Sequence, residues 1–376
     1  MRFRVERDVL AEAVTWTARS LPTRPPVPVL AGVRLAADTS GVVQLSSFDY
    51  EVSARSEIAA DVTEPGTVLV SGRLLAEISR ALPAKPVDVV LDGTKVTVTC
   101  GASRFSLLTM PVEDYPALPA MPEVVGSIAG DELTAAVAQV TVAASRDDTL
   151  PLLTGVRVEI AGERITMLAT DRYRLALREL SWTPSSPDYA ATALVRARTL
   201  SDAAKSLGGS DRVAVALSTG AGVDLIGFEA GGRHTTSLLV DGEYPAVRRL
   251  FPDETPIHAV VPKQVLVEAA RRVSLVAERN TPIRLAFSEG QVVLDAGQGD
   301  DAQASEALEA ALTGEDITVA FNPQFLLDGL GALDTDFVRM SFTHPNKPVE
   351  FTGQDSLEGD DDKGYRYLLV PIRFAS

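Results

Sequence analysis

Three histidines, His234, His258 and His344, are the side chains whose ordinary pKa suits acid–base work or metal binding near neutrality. No two of them share a metal-ligand spacing, so each is read as a surface or packing residue. The chain has neither a Gly-x-x-x-x-Gly-Lys-Ser/Thr nor a Gly-x-Gly-x-x-Gly loop to cradle phosphates. It also lacks a Gly-x-Ser-x-Gly elbow, and its single cysteine, Cys100, has no evident histidine partner. Asp300-Asp301 and Asp360-Asp361-Asp362 are acid-rich but miss the alternating ligands and closing Glu of a calcium loop, so they read as solvated loops. No metal, no cofactor and no catalytic residue is expected, although carboxylates brought together only by folding leave an enzyme as a rival reading.

Composition narrows the class. At 376 residues the chain exceeds what one core usually serves, which argues for two or three domains. No apolar run nears the roughly 18 residues of a membrane span, and the start, Met1-Arg2-Phe3-Arg4-Val5-Glu6, is charged and patterned. With one cysteine no intrachain disulfide can form, and a reducing cytoplasm is the expected location. The net charge of −16 opposes conventional DNA binding, whose affinity comes largely from Lys and Arg on phosphate. It is compatible with a protein that holds DNA by topology and needs only a few local cations.

The elements that would position any site repeat three times. Thr67–Arg73 leads as a strand into a helix over Leu74–Leu82, Thr192–Val195 into one over Leu200–Leu207, and Ile317–Phe321 through Asn322-Pro323 into Phe325–Leu330. Val70 and Val195 lie 125 residues apart, and Val195 and Phe321 lie 126 apart. Leu107-Leu108 before Tyr115-Pro116 is echoed by Leu238-Leu239 before Tyr244-Pro245, and the chain closes on Leu368-Leu369 before Pro371. Each repeat opens with an amphipathic helix whose apolar stripe is Leu10, Ala13 and Val14, then Leu133, Val137, Val140 and Ala144, then Leu266, Ala269 and Val273. The second helices show stripes at Leu74, Ile78 and Leu82, and at Leu326, Leu330 and Leu333. Between helices the period is two, as in Val87, Val89 and Leu91, Val96, Val98 and Cys100, or Val156, Val158 and Ile160, with short turns such as Asp92-Gly93 and Ala161-Gly162. The predicted fold is α+β, three tandem units of two helices on antiparallel sheet, bounded at 1–120, 121–254 and 255–376.

The motif Ala169-Thr170-Asp171-Arg172-Tyr173-Arg174-Leu175-Ala176 resembles the Ala-Thr-Asp-x-x-Arg-Leu-Ala of the bacterial DNA polymerase III beta subunit family. Tyr244-Pro245 with Arg248-Arg249 and Pro252, Phe321-Asn322-Pro323, the terminal Leu369-Val370-Pro371-Ile372-Arg373-Phe374 and the stretch from Leu21 to Leu30 match as well, in order along the whole chain. The resemblance implies a non-catalytic sliding clamp, a processivity factor that closes as a homodimeric ring around duplex DNA. Helix widths agree: six helices of roughly 10 Å enclose a hole of only ~9 Å, whereas twelve leave ~28 Å, enough for a duplex. The resemblance implies closing residues Phe105, Leu107 and Leu275. It also implies sequence-independent phosphate contacts from Arg24 and Arg198, joined by Arg73, Arg146, Arg196 and Lys205.

Partners implied by the resemblance are the DNA polymerase III alpha subunit, the clamp loader and other proteins carrying a short clamp-binding motif, whose apolar anchors enter one cleft. The matching positions are Leu153, Thr170, Arg172, Tyr173, Arg174, Leu175, Pro245, Arg249, Leu250, Asn280, Asn322, Phe325, Val370, Pro371, Ile372 and Arg373. Burying two anchors contributes ~3–6 kcal/mol before ordering costs, which suits exchangeable partners. The sequence departs from the family at this cleft. Arg172-Tyr173 stands where many members carry Gly-His, Asn280 where some carry an aromatic, and Val370 and Ile372 replace methionines, with His344-Pro345-Asn346 at the rim. Branched side chains adapt less readily than Met. These departures fit a clamp variant or second copy with altered inhibitor affinity, and hence antibiotic resistance.

Overall fold

The alternating runs form the hairpins their turns foretell. Asp92 faces Lys95 across one turn and Ala161 faces Arg164 across another, with Gly93 and Gly162 at φ of 58° and 55°. That left-handed region is open to glycine at little cost, and it closes a tight turn without splaying the strands. The computed structural model describes residues 1–220, 222–277, 281–297 and 302–373. Among them are six α-helices: α1 (Arg7–Ala18), α2 (Gly72–Ala81), α3 (Gly130–Thr141), α4 (Ala197–Leu207), α5 (Lys263–Val273) and α6 (Pro323–Gly331). None is long and apolar enough to cross a membrane.

The three repeats share one element order. Each runs strand, helix, three-stranded meander and then the same again, with one extra short strand between the halves. The apolar stripes of α1 and α5 are buried as their spacing requires, and Leu133, Val137 and Val140 are buried on α3. Three positions depart from expectation. On α2 the inner face passes through Leu75, Ala76, Ile78 and Ser79, leaving Leu74 exposed, because it lies about 100° round the helix from Leu75, away from Ser79. Ala144 and Leu333 are buried just beyond the ends of α3 and α6.

The chain divides into two units. The first comprises 1–131, 183–187 and 202–239, and its strands form a single 14-stranded antiparallel sheet. The second comprises 132–182, 188–201 and 240–376, and holds a nine-stranded and a four-stranded sheet. Both large sheets run across a repeat junction. In the first unit Val52–Ala59 pairs with Arg233–Leu238, where the Ser53 and Thr236 hydroxyls meet at 2.5 Å. In the second, Arg174–Ser181 pairs with Asp361–Leu369. At each junction the last strand of one repeat's first meander joins the last strand of the next repeat's second meander.

Two strands hold the corresponding places without such a partner in the described residues. Ala304–Glu309 lies at the edge of the four-stranded sheet. Ser103–Met110 pairs with Lys95–Cys100 on one side, and on the other only Thr109 and Met110 meet a neighbour. Ala304 lies 130 residues after Arg174, and Ser103 lies 130 before Arg233.

Candidate peptide-binding site and nucleic-acid cations

The turn between strands Arg164–Thr170 and Arg174–Ser181 is built by its own polar side chains. The Asp171 carboxylate accepts from the backbone N–H groups of Tyr173 at 3.0 Å and Arg174 at 3.1 Å. The Thr170 hydroxyl accepts from the Arg172 N–H and donates to the Arg174 carbonyl. Arg172 takes φ of 80°, a left-handed conformation that side chains adopt at a cost. A Gly would adopt it freely, so the departure at this position trades backbone ease for a charged side chain, which reaches to 6.0 Å from the Tyr173 ring. The Tyr244 hydroxyl accepts from the Thr170 N–H at 3.0 Å and so ties the turn to Tyr244-Pro245.

Arg174 is buried, and its charge is fully engaged. Its Nε donates to Asp171 at 2.9 Å and its Nη1 to Asp328 on α6 at 2.6 Å, while the guanidinium lies 4.2 Å from the centre of the Phe325 ring. Burial alone would lower its pKa. Tyr367 and hydrogen bonds to Asp328 and Asp171 outweigh that and raise it, so Arg174 stays charged at every accessible pH. Tyr173 stacks on the other partner of this arrangement, Phe325, with ring centres 6.2 Å apart.

Phe325 is set by the start of α6. Asn322 Oδ1 accepts from the N–H groups of Gln324 and Phe325, an N-cap followed by Pro323 at the first helical position. Asn322→Ala should cost about 1 kcal/mol of stability and lower the thermal midpoint measurably, with circular dichroism as the check. Tyr367 donates to the Phe325 carbonyl at 2.8 Å, and a β-carbon at Gly329 would meet the Tyr367 ring at 2.3 Å, so the glycine admits the ring against the helix.

The walls come from three further segments. Val370 N–H donates to the Tyr173 carbonyl, and Ile372 N–H to that of Ala320. These bonds leave the Val370 and Ile372 side chains exposed on either side of buried Pro371. Leu250 is also exposed, at the end of a 3-10 turn over Val247–Leu250, while the next residue, Phe251, is buried with Leu168, Leu175 and Leu368. Arg366 packs over Phe251 at 4.1 Å and is paired with buried Glu350. Leu153 joins Leu194 and Tyr244 in a small apolar cluster. The five segments expected to meet therefore do meet, in the second unit. Arg249 and Arg373 are exposed at the margin. Pro245 and Arg249 also line a 470 Å³ hollow on the flank of the 3-10 turn, with Arg157, Leu168 and Arg248. Asn280 lies outside the described residues. His344 accepts from the Asn346 N–H in a short turn.

Tyr244 supplies a pH handle. Burial pushes its phenol up to about 12, with the hydrogen bond from Thr170 opposing. A raised folded-state value means the contribution is intact below pH 10 and is lost as pH climbs from 10 towards 12. Tyr244 should account for a fall of about 2–3 kcal/mol across that window, and Tyr244→Phe should make this part of a denaturation–pH curve shallower, while the buried phenols of Tyr115 and Tyr367 keep their own share.

Sequence reasoning missed Asp328, Tyr367, Glu350 and Arg366. Each acts on a residue far along the chain, and Asp171 alone was visible inside a motif. The phosphate-contact candidates are all charged positions of mixed setting. Arg24, Arg146, Arg198 and Lys205 are exposed, Arg196 is half-buried, and Arg73 donates to the Pro22 carbonyl, two residues from Arg24. Of the expected closing residues, Leu275 is 84% exposed and Phe105 37%. Leu107 is a correction. It is 3% exposed and packs in the core of the first unit opposite Val96, and it is Leu108, 69% exposed on the other face of that strand, that projects outward. Among the described residues no three His, Cys, Asp or Glu side chains cluster as metal ligands.

Comparison with known proteins accounts for this arrangement. The N-terminal, central and C-terminal domains of the DNA polymerase III beta subunit match residues 1–119, 127–246 and 248–373. The chain is 56% identical to the beta sliding clamp of Streptomyces coelicolor and 48% identical to the beta sliding clamp homolog GriR of Streptomyces muensis, each over the full length of both chains. It superposes with a TM-score of 0.92 on the sliding clamp of Pseudomonas aeruginosa bound to griselimycin, at 27% identity with both chains fully covered. The chain therefore belongs to the bacterial DNA polymerase III beta subunit family, the sliding clamps.

Proposed function

We propose that this clamp closes with a second copy of itself into a ring around duplex DNA and tethers the replicative polymerase, the clamp loader and other motif-bearing proteins through the cleft around Phe325. The observation that carries the reading is the braced aromatic surface at Phe325. Exposed Tyr173 stacks on the Phe325 ring, a buried, doubly paired arginine braces that ring, and exposed Val370 and Ile372 follow on a segment bonded to Tyr173 and Ala320. Apolar anchors of a short peptide suit such a surface, and a rigid floor lowers the ordering cost of binding. Repeats bounded near 120 and 254 would be the domains, and the clamp would act in the cytoplasm without catalysis of its own.

Closure as a dimer is supported by strand logic. If the junction rule continues, Ala304–Glu309 of one copy takes Ser103–Met110 of the other, completing both edges. Glu309 would then come near Arg104, and Phe105, Leu108 and Leu275 would be covered. Arg24, Arg73, Arg146, Arg196, Arg198 and Lys205 would contact phosphate, so binding should weaken with salt and ignore base sequence. The test is loading by a clamp loader onto nicked circular DNA. Release when the circle is cut supports the reading, and retention on the unblocked linear product sinks it.

The altered-pocket reading has its own support in Arg172-Tyr173, Val370 and Ile372. Calorimetry with griselimycin, the ligand of the Pseudomonas clamp, decides it: weaker binding than to the Streptomyces coelicolor clamp favours a resistant variant, and equal binding removes that reading.

A further inference from the structure

Strand Gly155–Ala161 alternates, and Val156, Val158 and Ile160 are buried, so Arg157 and Glu159 stand on its other face. The ladders extend that face into two rows. Arg157 lies opposite Leu168 and Leu168 opposite Leu177, while Glu159 lies opposite Thr166 and Thr166 opposite Glu179. Residues 245–249 complete the 470 Å³ hollow with Arg157, Glu159 and Leu168 of this face. Its size falls within the range of ligand pockets. The lining is of two kinds. Leu168, Pro245, Ala246 and Val247 are apolar, and the rest is three arginines, Arg157, Arg248 and Arg249, against the one carboxylate of Glu159.

These charges are only partly spent on one another. Glu159 is shared by Arg157 at 2.7 Å and Arg248 at 3.8 Å, and Glu179 by Arg248 at 3.5 Å and Arg164 at 3.6 Å. Two carboxylates thus serve three arginines. Arg249 is exposed and has no hydrogen-bond or ion-pair partner among the described residues. Four guanidiniums against two carboxylates leave an excess of two positive charges, in a chain whose net charge is −16. A guanidinium presents its donors in a fixed fork that a carboxylate fits with both oxygens. A free inorganic anion would meet those donors but leave the apolar side of the hollow unused. A carboxylate on a short methylene stem matches both. Such a group also has a route in, because Pro245 and Arg249 are positions of the peptide cleft as well as of the hollow. A peptide seated in the cleft reaches the hollow along that shared segment.

We propose that the hollow extends the peptide cleft and takes an acidic residue flanking the apolar anchors of a partner's motif, its carboxylate held by Arg249 with Arg157 and Arg248. This extension rests on the peptide-cleft reading and adds a preference among partners, for motifs with an acidic neighbour on one side. The test uses the full-length protein and peptides that share the same two apolar anchors. A Glu, or a Gln as its neutral counterpart, is placed at each flanking position in turn, and affinity is read by calorimetry. On one side of the anchors the Glu form should bind about fivefold more tightly than the Gln form, and the margin should shrink at high salt. R157Q, which lies on the sheet and not on the 3-10 turn, should reduce that margin. R157Q/R248Q should remove it and leave the affinity of the Gln form unchanged. Equal affinity of the Glu and Gln forms at every position overturns the extension. A Glu margin that is the same on both sides, as the overall field would give, overturns it too, as does a margin that survives in the double variant. The two failures are separable: no binding of either form removes the peptide-cleft reading and the extension with it, whereas binding of both forms without a margin removes the extension alone.

Discussion

Replacing Arg174 by alanine should destabilise the second unit by about 2–4 kcal/mol and abolish detectable binding of a clamp-binding peptide. Removing one member of a buried ion pair costs about 3–5 kcal/mol, because its partners keep their desolvation cost without compensation. Here the side chains of Asp171 and Asp328 remain 12% and 24% exposed, so solvent relieves part of that penalty. The peptide effect is separate and larger in relative terms. Without the guanidinium beneath it, Phe325 loses its cation–π partner, and the Asp171 turn that presents Tyr173 loses its anchor on α6. Chemical denaturation measures the first effect and calorimetry with a peptide the second. Arg174→Lys sharpens the interpretation: an ammonium keeps the charge but cannot serve both carboxylates with a planar fork, so stability should recover more than binding does. Wild-type affinity in the alanine variant would show that the brace beneath the cleft is irrelevant to recognition.

Gly329→Val should cost about 3 kcal/mol, and here two effects of opposite sign can be compared. A glycine within a helix is worth about 1 kcal/mol less than alanine, so a larger residue ought to help α6 on propensity alone. The added β-carbon would stand 2.3 Å from the Tyr367 ring, which is wholly buried and touches Phe351 edge-on. Overpacking a filled core costs about 1–3 kcal/mol, and valine adds two methyl groups to an already forbidden contact while forfeiting much of the helical gain through its branched side chain. Sterics win. The displaced Tyr367 would also release the Phe325 carbonyl, so peptide affinity should fall with stability. A thermal midpoint equal to or above the parent's would mean that the ring has room to retreat.

What the chain discloses before folding is uneven, for physical reasons. Repeats, helix faces and hairpins depend on periodicity over ten or twenty residues, and Leu10, Val98, Val158 and Leu266 are buried where the pattern puts them. One-residue choices are less legible. Leu74 against Leu75 depends on how the helix is rotated against the sheet, and Leu107 against Leu108 on which face of an edge strand meets the core, a matter settled by the facing strand. Long-range pairings are not legible at all from spacing. Asp328 reaches Arg174 across 154 residues, and Arg248 reaches Glu179 across 69. The cleft residues were found together only through family resemblance, and the groups that hold them rigid, Asp328, Tyr367 and Arg366, lie outside its motifs.

The ladders that cross the repeat junctions also bear on divisibility. Although the chain reads as three similar modules, Arg174–Ser181 finds its second neighbour in Asp361–Leu369, nearly at the other end. Cutting the chain near 254 would therefore strip a strand from each fragment and leave a row of unsatisfied amide and carbonyl groups on both. Such pieces would be sticky rather than independent, prone to pair with any stray edge. The modular look of the sequence records how the chain is patterned, while the hydrogen bonds make the modules depend on one another to stay in solution.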